Sequence, residues 1–120
     1  MIEILKALKT EFKDINYEFD NWNSDLKLPY FVGEIYELNN PNEYGKREFE
    51  FMLTGEDVET YTNLINVSES IKDKYKHGFK IKLDNGIMNI LYDNILFIPV
   101  EAENLKRIQI NMSISLWEDK

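Results

Sequence analysis

The sequence predicts an α+β domain: a mainly antiparallel sheet of four to five strands with two helices packed on one face, in the order α-β-β-α-β-β-β. Three observations lead there. Two segments repeat apolar residues at spacings of three and four, the period of a helix. Several others alternate apolar and polar residues, or are dense in β-branched and aromatic ones, as strands are. Short turn-forming stretches join neighbouring strands, which implies antiparallel rather than crossover connections. At 120 residues, with 43% hydrophobic content, the chain has the size and apolar material for one domain, 1–120.

The first helix covers roughly residues 1 to 14, where Met1, Leu5, Leu8, Phe12 and Ile15 draw one apolar stripe. Two heptads are too few for a coiled-coil seam, so the stripe is expected to lie on the sheet. Residues 16 to 28 are polar with scattered Tyr17, Phe19 and Trp22, an irregular connection with room for a short strand. From Pro29 to Leu38 the chain is β-branched and aromatic, and Pro29 stands at the strand start, where a missing N–H does least harm. Residues 39 to 46 are turn formers around Tyr44, long for a hairpin loop and therefore read as a projecting contact arm. Glu48, Glu50 and Met52 then alternate with Phe49, Phe51 and Leu53 in a returning strand.

The second helix is expected from about residue 57 to about 77. Thr54-Gly55-Glu56-Asp57 has the spacing of a capping box, and Glu56, Asp57 and Glu59 suit the positive end of the dipole. Lys72, Lys74 and Lys76 suit the negative end, before Gly78. Val58, Tyr61, Leu64, Ile65, Ser68, Ile71 and Tyr75 form its expected buried stripe. Phe79 to Leu83 alternates, Asp84-Asn85-Gly86 supplies a turn with a residue suited to positive φ, and residues 87 to 92 return. The apolar run Ile95-Leu96-Phe97-Ile98 fits either a strand or a buried crossing, closed by Pro99 and an acidic link through Glu101 and Glu103.

The last element is the cleanest. In "LKRIQINMSISLWE", residues 105 to 118, Ile108, Ile110, Met112, Ile114 and Leu116 take one face. Gln109, Asn111, Ser113 and Ser115 take the other, with no charge between Arg107 and Glu118. A strand face turned only to water usually carries Lys or Glu, so this neutral polar face needs a further explanation.

The chemistry of the remaining residues is sparse. The chain has no cysteine, which excludes disulfides, thiolate metal sites and cysteine nucleophiles, and fits a reducing cytoplasm. His77 is the one histidine and sits beside Gly78 at a helix end, the position of a cap rather than of a triad base. Glu34 with Glu37, and Glu48 with Glu50, are paired acids, but alternation puts Glu48 and Glu50 on the solvated side of a strand. No phosphate-binding glycine loop, dinucleotide fingerprint or calcium loop is present, so no catalytic residue, cofactor or metal is expected and the chain is not read as an enzyme. No run of about 18 apolar residues suggests a membrane span, and no leader pattern opens the chain. The formal charge of −8 opposes any nonspecific grip on nucleic acid.

"PYFVGEIYE", "FEFMLTG", the lysine-ended helix and the closing "NLKRIQINMSISLWE", above all "LKRIQIN" at 105–111 with its final tryptophan and acid, carry a family resemblance. Over its whole length the chain resembles the tail terminator, or tail completion, proteins of long-tailed phages and prophages of Gram-positive bacteria. The resemblance implies a structural virion protein without catalytic residues, made in the host cytoplasm and resident in the virion tail. It implies a six-membered ring on the head-proximal end of the tail tube, which stops tube growth and joins the head. The partners it implies are the chain itself, the tail tube protein and the head connector or head-closure protein, with DNA passing through without specific binding. Under it, Gln109, Asn111, Ser113, Ser115 and Trp117, with Tyr44, become subunit or partner contacts, since neutral polar groups are far easier to desolvate than charges. Glu34, Glu37, Glu48 and Glu50 become candidate lumen acids that keep the passing DNA from binding. Two other readings share the composition: a head-closure subunit, and a monomeric acidic inhibitor or immunity protein that mimics DNA before a nuclease.

Overall fold

The computed structural model describes residues 2–14, 28–38, 46–102 and 104–118, together with the backbone of 17–19. Helices α1 (Ile2–Glu11) and α2 (Thr62–Tyr75) accompany strands β1 (Tyr17–Phe19), β2 (Tyr30–Glu37), β3 (Lys46–Val58), β4 (Phe79–Leu83), β5 (Gly86–Ile98) and β6 (Leu105–Glu118). The strands form one sheet in the order β1-β2-β3-β6-β5-β4. Its five long strands are antiparallel to their neighbours, as expected for this α+β class, and the three-residue β1 adds a parallel strand at one edge.

Register explains the core. Phe49 stands opposite Ile114, Phe51 opposite Met112 and Leu53 opposite Ile110, while Ile90 and Met88 continue the same side from Ile114 and Leu116. All of these are buried in one cluster with Ile4 and Leu8 of α1 and Leu64, Ile71 and Tyr75 of α2, so both helices close the same face. Alternation in strands and three-to-four spacing in helices thus meet on one surface, and burying each such side chain stabilises the fold by roughly 1.5–3 kcal/mol. The two helices are tied by Glu11, whose Oε1 accepts from the Tyr75 hydroxyl and pairs with Lys74 Nζ, both at 2.5 Å. Burial, reinforced by that bond to Glu11, pushes the Tyr75 phenol well above its usual pKa.

The structure corrects several sequence expectations. Residues 54–58 do not begin a helix but finish β3, pairing from Thr54 opposite Gln109 to Val58 opposite Leu105. The acids of the expected capping box are instead strand-end partners. Glu56 pairs with Arg107, and Asp57 accepts from the Val58 N–H and from Asn63 Nδ2. The chain then turns through Glu59 at φ +69, and α2 starts at Thr62 after Tyr61, without a side-chain cap or an acid in its first turn. Val58 and Ile65 are consequently exposed rather than part of the buried stripe. Gly78 does end the helical region, at φ +87, but the last carbonyls of α2 accept from the backbone N–H groups of Lys76 and Gly78 rather than from the His77 ring. In α1 the fully buried stripe runs through Ile4, Leu8 and Phe12, with Leu5 at its flank; Met1 and Ile15 lie outside the described residues.

At the β4–β5 turn, Gly86 does not adopt positive φ. Its requirement is proximity: a Cβ there would stand 2.1 Å from the Trp117 carbonyl oxygen of β6. The apolar run at 95–98 is strand, one of its two expected forms, and not a buried crossing. It continues β5 beyond a register shift between Tyr92 and Asn94, with Ile95 opposite Ile110 and Phe97 opposite Ile108.

Candidate functional site

The same register that fills the core defines the opposite face. Across the four central strands its rows read Tyr30–Glu56–Arg107–Ile98, Val32–Thr54–Gln109–Leu96, Glu34–Met52–Asn111–Asn94 and Tyr36–Glu50–Ser113–Leu91. Two further rows, Glu48–Ser115–Asn89–Lys80 and Lys46–Trp117–Ile87–Lys82, extend onto β4. Neither helix packs here. Gln109, Asn111, Ser113 and Ser115 are half-buried by their own neighbours, and Trp117 is 40% exposed. The five β6 residues singled out from the sequence are therefore brought together on one helix-free face.

A polar ladder organises its centre. Gln109 Nε2 donates to Asn111 Oδ1 at 2.9 Å and to Met52 Sδ at 3.0 Å, and Asn111 Nδ2 donates onward to Asn94 Oδ1 at 2.7 Å. Ser113 Oγ donates to Asp93 Oδ2 at 2.5 Å. Asp93 is the residue left over at the β5 register shift, so the bulge is what aims a carboxylate at the central strand. Glu50, opposite Ser113, has its carboxyl pushed up by burial first and by the Asp93 charge second.

Charge is unevenly spread over the face. Lys46, Lys80 and Lys82 gather near Trp117, where Lys46 Nζ stands 5.4 Å from the ring centroid and also pairs with Glu48 at 3.1 Å. At the far end Glu56, only 5% exposed, accepts from Arg107 Nη2 at 2.7 Å and Nε at 3.1 Å and from the Tyr30 hydroxyl at 3.2 Å. Burial, and then the Glu56 charge, pushes the Tyr30 phenol up.

The four candidate lumen acids do not form one free set. Glu34, Glu48 and Glu50 share the open face, whereas Glu37 takes the helix side. There its oxygens accept from Arg47 Nε and Nη2 at 2.8 and 2.7 Å, a bond that holds the Glu37 carboxyl below its usual range. Tyr44 lies outside the described residues. Asp93 and Asn94, which complete the ladder, were hidden in the sequence because the bulge interrupts the alternation of β5, whereas Met52 was readable on the outer side of β3 and only its bond to Gln109 was not.

Among the described residues no group of three or more His, Asp or Glu side chains is placed to hold a metal ion. A cleft of about 450 Å³ on the helix side is lined by Ile2, Glu3, Arg47, Asn85 and Glu118, among others. Its guanidinium is already committed, with Nη1 on Glu118 at 2.8 Å and the remaining donors on Glu37. Every buried side-chain nitrogen and oxygen among the described residues has a partner. His77 is exposed at the end of α2. No helix among the described residues is long and apolar enough to cross a membrane. Neither the models of known protein families nor the curated proteins contain a match to this chain.

Proposed function

We propose that the chain is a structural assembly subunit of the tail terminator type, forming a ring on the head-proximal end of a phage tail tube, arresting its growth and joining it to the head connector. One observation carries the reading. The outer face of the sheet is covered by neither α1 nor α2, yet its central strand is uncharged from Ile108 to Trp117 and its amides are already aligned by Gln109, Asn111 and Asn94. A face of neutral, preorganised amides and hydroxyls with Trp117 at one end loses little on desolvation and offers an aromatic anchor, which is what a docking surface requires. The partners of this reading are further copies of the chain, the tail tube protein and the head-closure protein; DNA passes without specific binding.

The test is capping of purified tail tubes, counted by electron microscopy. The wild type is expected to cap them as a ring. Trp117→Ala removes the anchor and Asn111→Asp sets an uncompensated charge beside Asn94, so both are expected to abolish capping while the subunit stays folded by circular dichroism. Undiminished capping by both variants, or no association of the wild type with tubes, overturns the reading.

A further inference from the structure

Among the described residues, two edges of the sheet are left unfinished. On one side β4 pairs only with Gly86 to Ile90 of β5, so beyond Ile90 the outer edge of β5, Leu91 to Ile98, meets no strand among the described residues. On the other side β1 pairs only with Phe31 to Gly33 of β2, leaving Glu34 to Glu37 without an outer strand among them. Both places carry exposed apolar side chains: Leu96 is 47% and Phe97 53% exposed on β5, and Tyr36 is 51% exposed on β2.

Sheet edges in soluble proteins are normally blunted by lysine, proline or shortness. Edge strand β4 follows that rule, with five residues and exposed Lys80 and Lys82. The free part of β5 does not: from Leu91 to Ile98 it has no lysine, arginine or proline, and its one charge, Asp93, accepts from Ser113 of β6. After the bulge, Asn94 to Ile98 is regular in its pairing with β6, and its outward backbone donors and acceptors meet no strand among the described residues.

We propose that copies of this chain join head to tail by strand addition, the free β5 edge of one copy accepting the free β2 edge of the next, so that the sheet runs on from copy to copy. Direction supports it. Three antiparallel steps separate β2 from β5, so the two strands run oppositely, and a copy carried along the sheet brings its β2 antiparallel to the waiting β5. Edge use chooses between the symmetries. A two-fold contact at the β2 edge would leave both β5 edges open, and one at the β5 edge would leave both β2 edges open. The head-to-tail contact satisfies both edges at once and places Glu34 and Glu37 against the neutral stretch from Asn94 to Ile98. The inference needs only the two edges and holds whatever the assembled open face docks to.

The absence of cysteine makes a direct test available. Glu34→Cys or Tyr36→Cys is prepared separately from Asn94→Cys or Leu96→Cys, and the proteins are oxidised alone and in mixtures, without tail tubes. Covalent dimers are expected in at least one β2–β5 mixture and not in any single variant, with a ladder of multimers when both cysteines share a chain. Leu96→Lys, which restores the usual edge protection, is expected to weaken self-association at least about tenfold while the circular dichroism spectrum is unchanged. Dimers formed by single variants alone, mixtures without cross-links, or a wild type that native mass spectrometry finds monomeric at every concentration each overturn the proposal. None of these outcomes bears on tube capping, so the two readings fail separately.

Discussion

On the helix side of the sheet, Phe51, Ile110 and Ile114 are closed over by Leu8, Leu64 and Tyr75, whereas one residue along the same strands Met52, Gln109 and Ser113 face the side that neither α1 nor α2 covers. The two faces come from one alternating sequence and one register, so what separates them is what finishes each. The inner face satisfies itself within the chain. The outer face satisfies its polar groups laterally, strand to strand. Residues of the inner face should therefore act mainly on stability and residues of the outer face mainly on association.

The sharpest way to break that comparison is a pair of truncations. Phe51→Ala empties a fully buried position and should destabilise the fold by about 3–5 kcal/mol, read from the urea midpoint at constant slope. Gln109→Ala, across the backbone, should change stability by under about 1 kcal/mol. Equal losses would mean that the outer face is as much part of the folded core as the inner one. Glu56→Ala tests the end of the outer face where the distinction fades. Glu56 is buried and holds both Arg107 and Tyr30, so its loss should remove about 2–3 kcal/mol, less than a fully buried pair because Arg107 remains partly solvated.

How much of this was legible in the sequence follows from the same contrast. Period two in β3 and β6 and period 3.6 in α1 and α2 were readable because burial on one side is what writes them. The start of α2 was not, because Glu56 and Asp57 have the residue types and spacing of a helix cap while their carboxylates are used by Arg107 and Asn63. Nor was the length of β5, since a bulge at Asp93 breaks the alternation that would have joined Tyr92 to Ile95. The β6 face was legible as a set of residues, but its completion by Asn94, Asp93 and Met52 depends on cross-strand register, which no single segment encodes.

Gly86→Ala sharpens the comparison at a backbone level. The added methyl would meet the Trp117 carbonyl, and because that group is backbone paired in the sheet rather than a flexible side-chain end, β5 and β6 must move apart locally, with a loss of about 1–3 kcal/mol. Its second signature, read in a Trp22→Phe background that leaves Trp117 as the single indole, is a change in fluorescence, since relief of the clash moves the strand that carries it. Stability lost without any change in fluorescence would place the relief in β5 alone.

The smallest effect is a dependence on pH that separates the faces by sign. On the outer face, burial and then the Asp93 charge raise the Glu50 carboxyl above its unfolded value, so the folded chain holds that proton more tightly. Stability linked to Glu50 is therefore full below the ordinary carboxylate value and is lost as the pH rises through the raised one. On the inner side the Arg47 hydrogen bond lowers Glu37, so its contribution is present above the ordinary value and is lost as the pH falls through the lowered one. The two steps lie on opposite sides of the ordinary carboxylate range and can be removed one at a time. In urea midpoints followed across acidic pH, Glu50→Gln should flatten the upper step and Glu37→Gln the lower. If Glu50→Gln instead runs parallel to the wild type throughout, the Glu50–Asp93 pair places no strain on the open face, and the face is as well satisfied in the isolated chain as the core behind it.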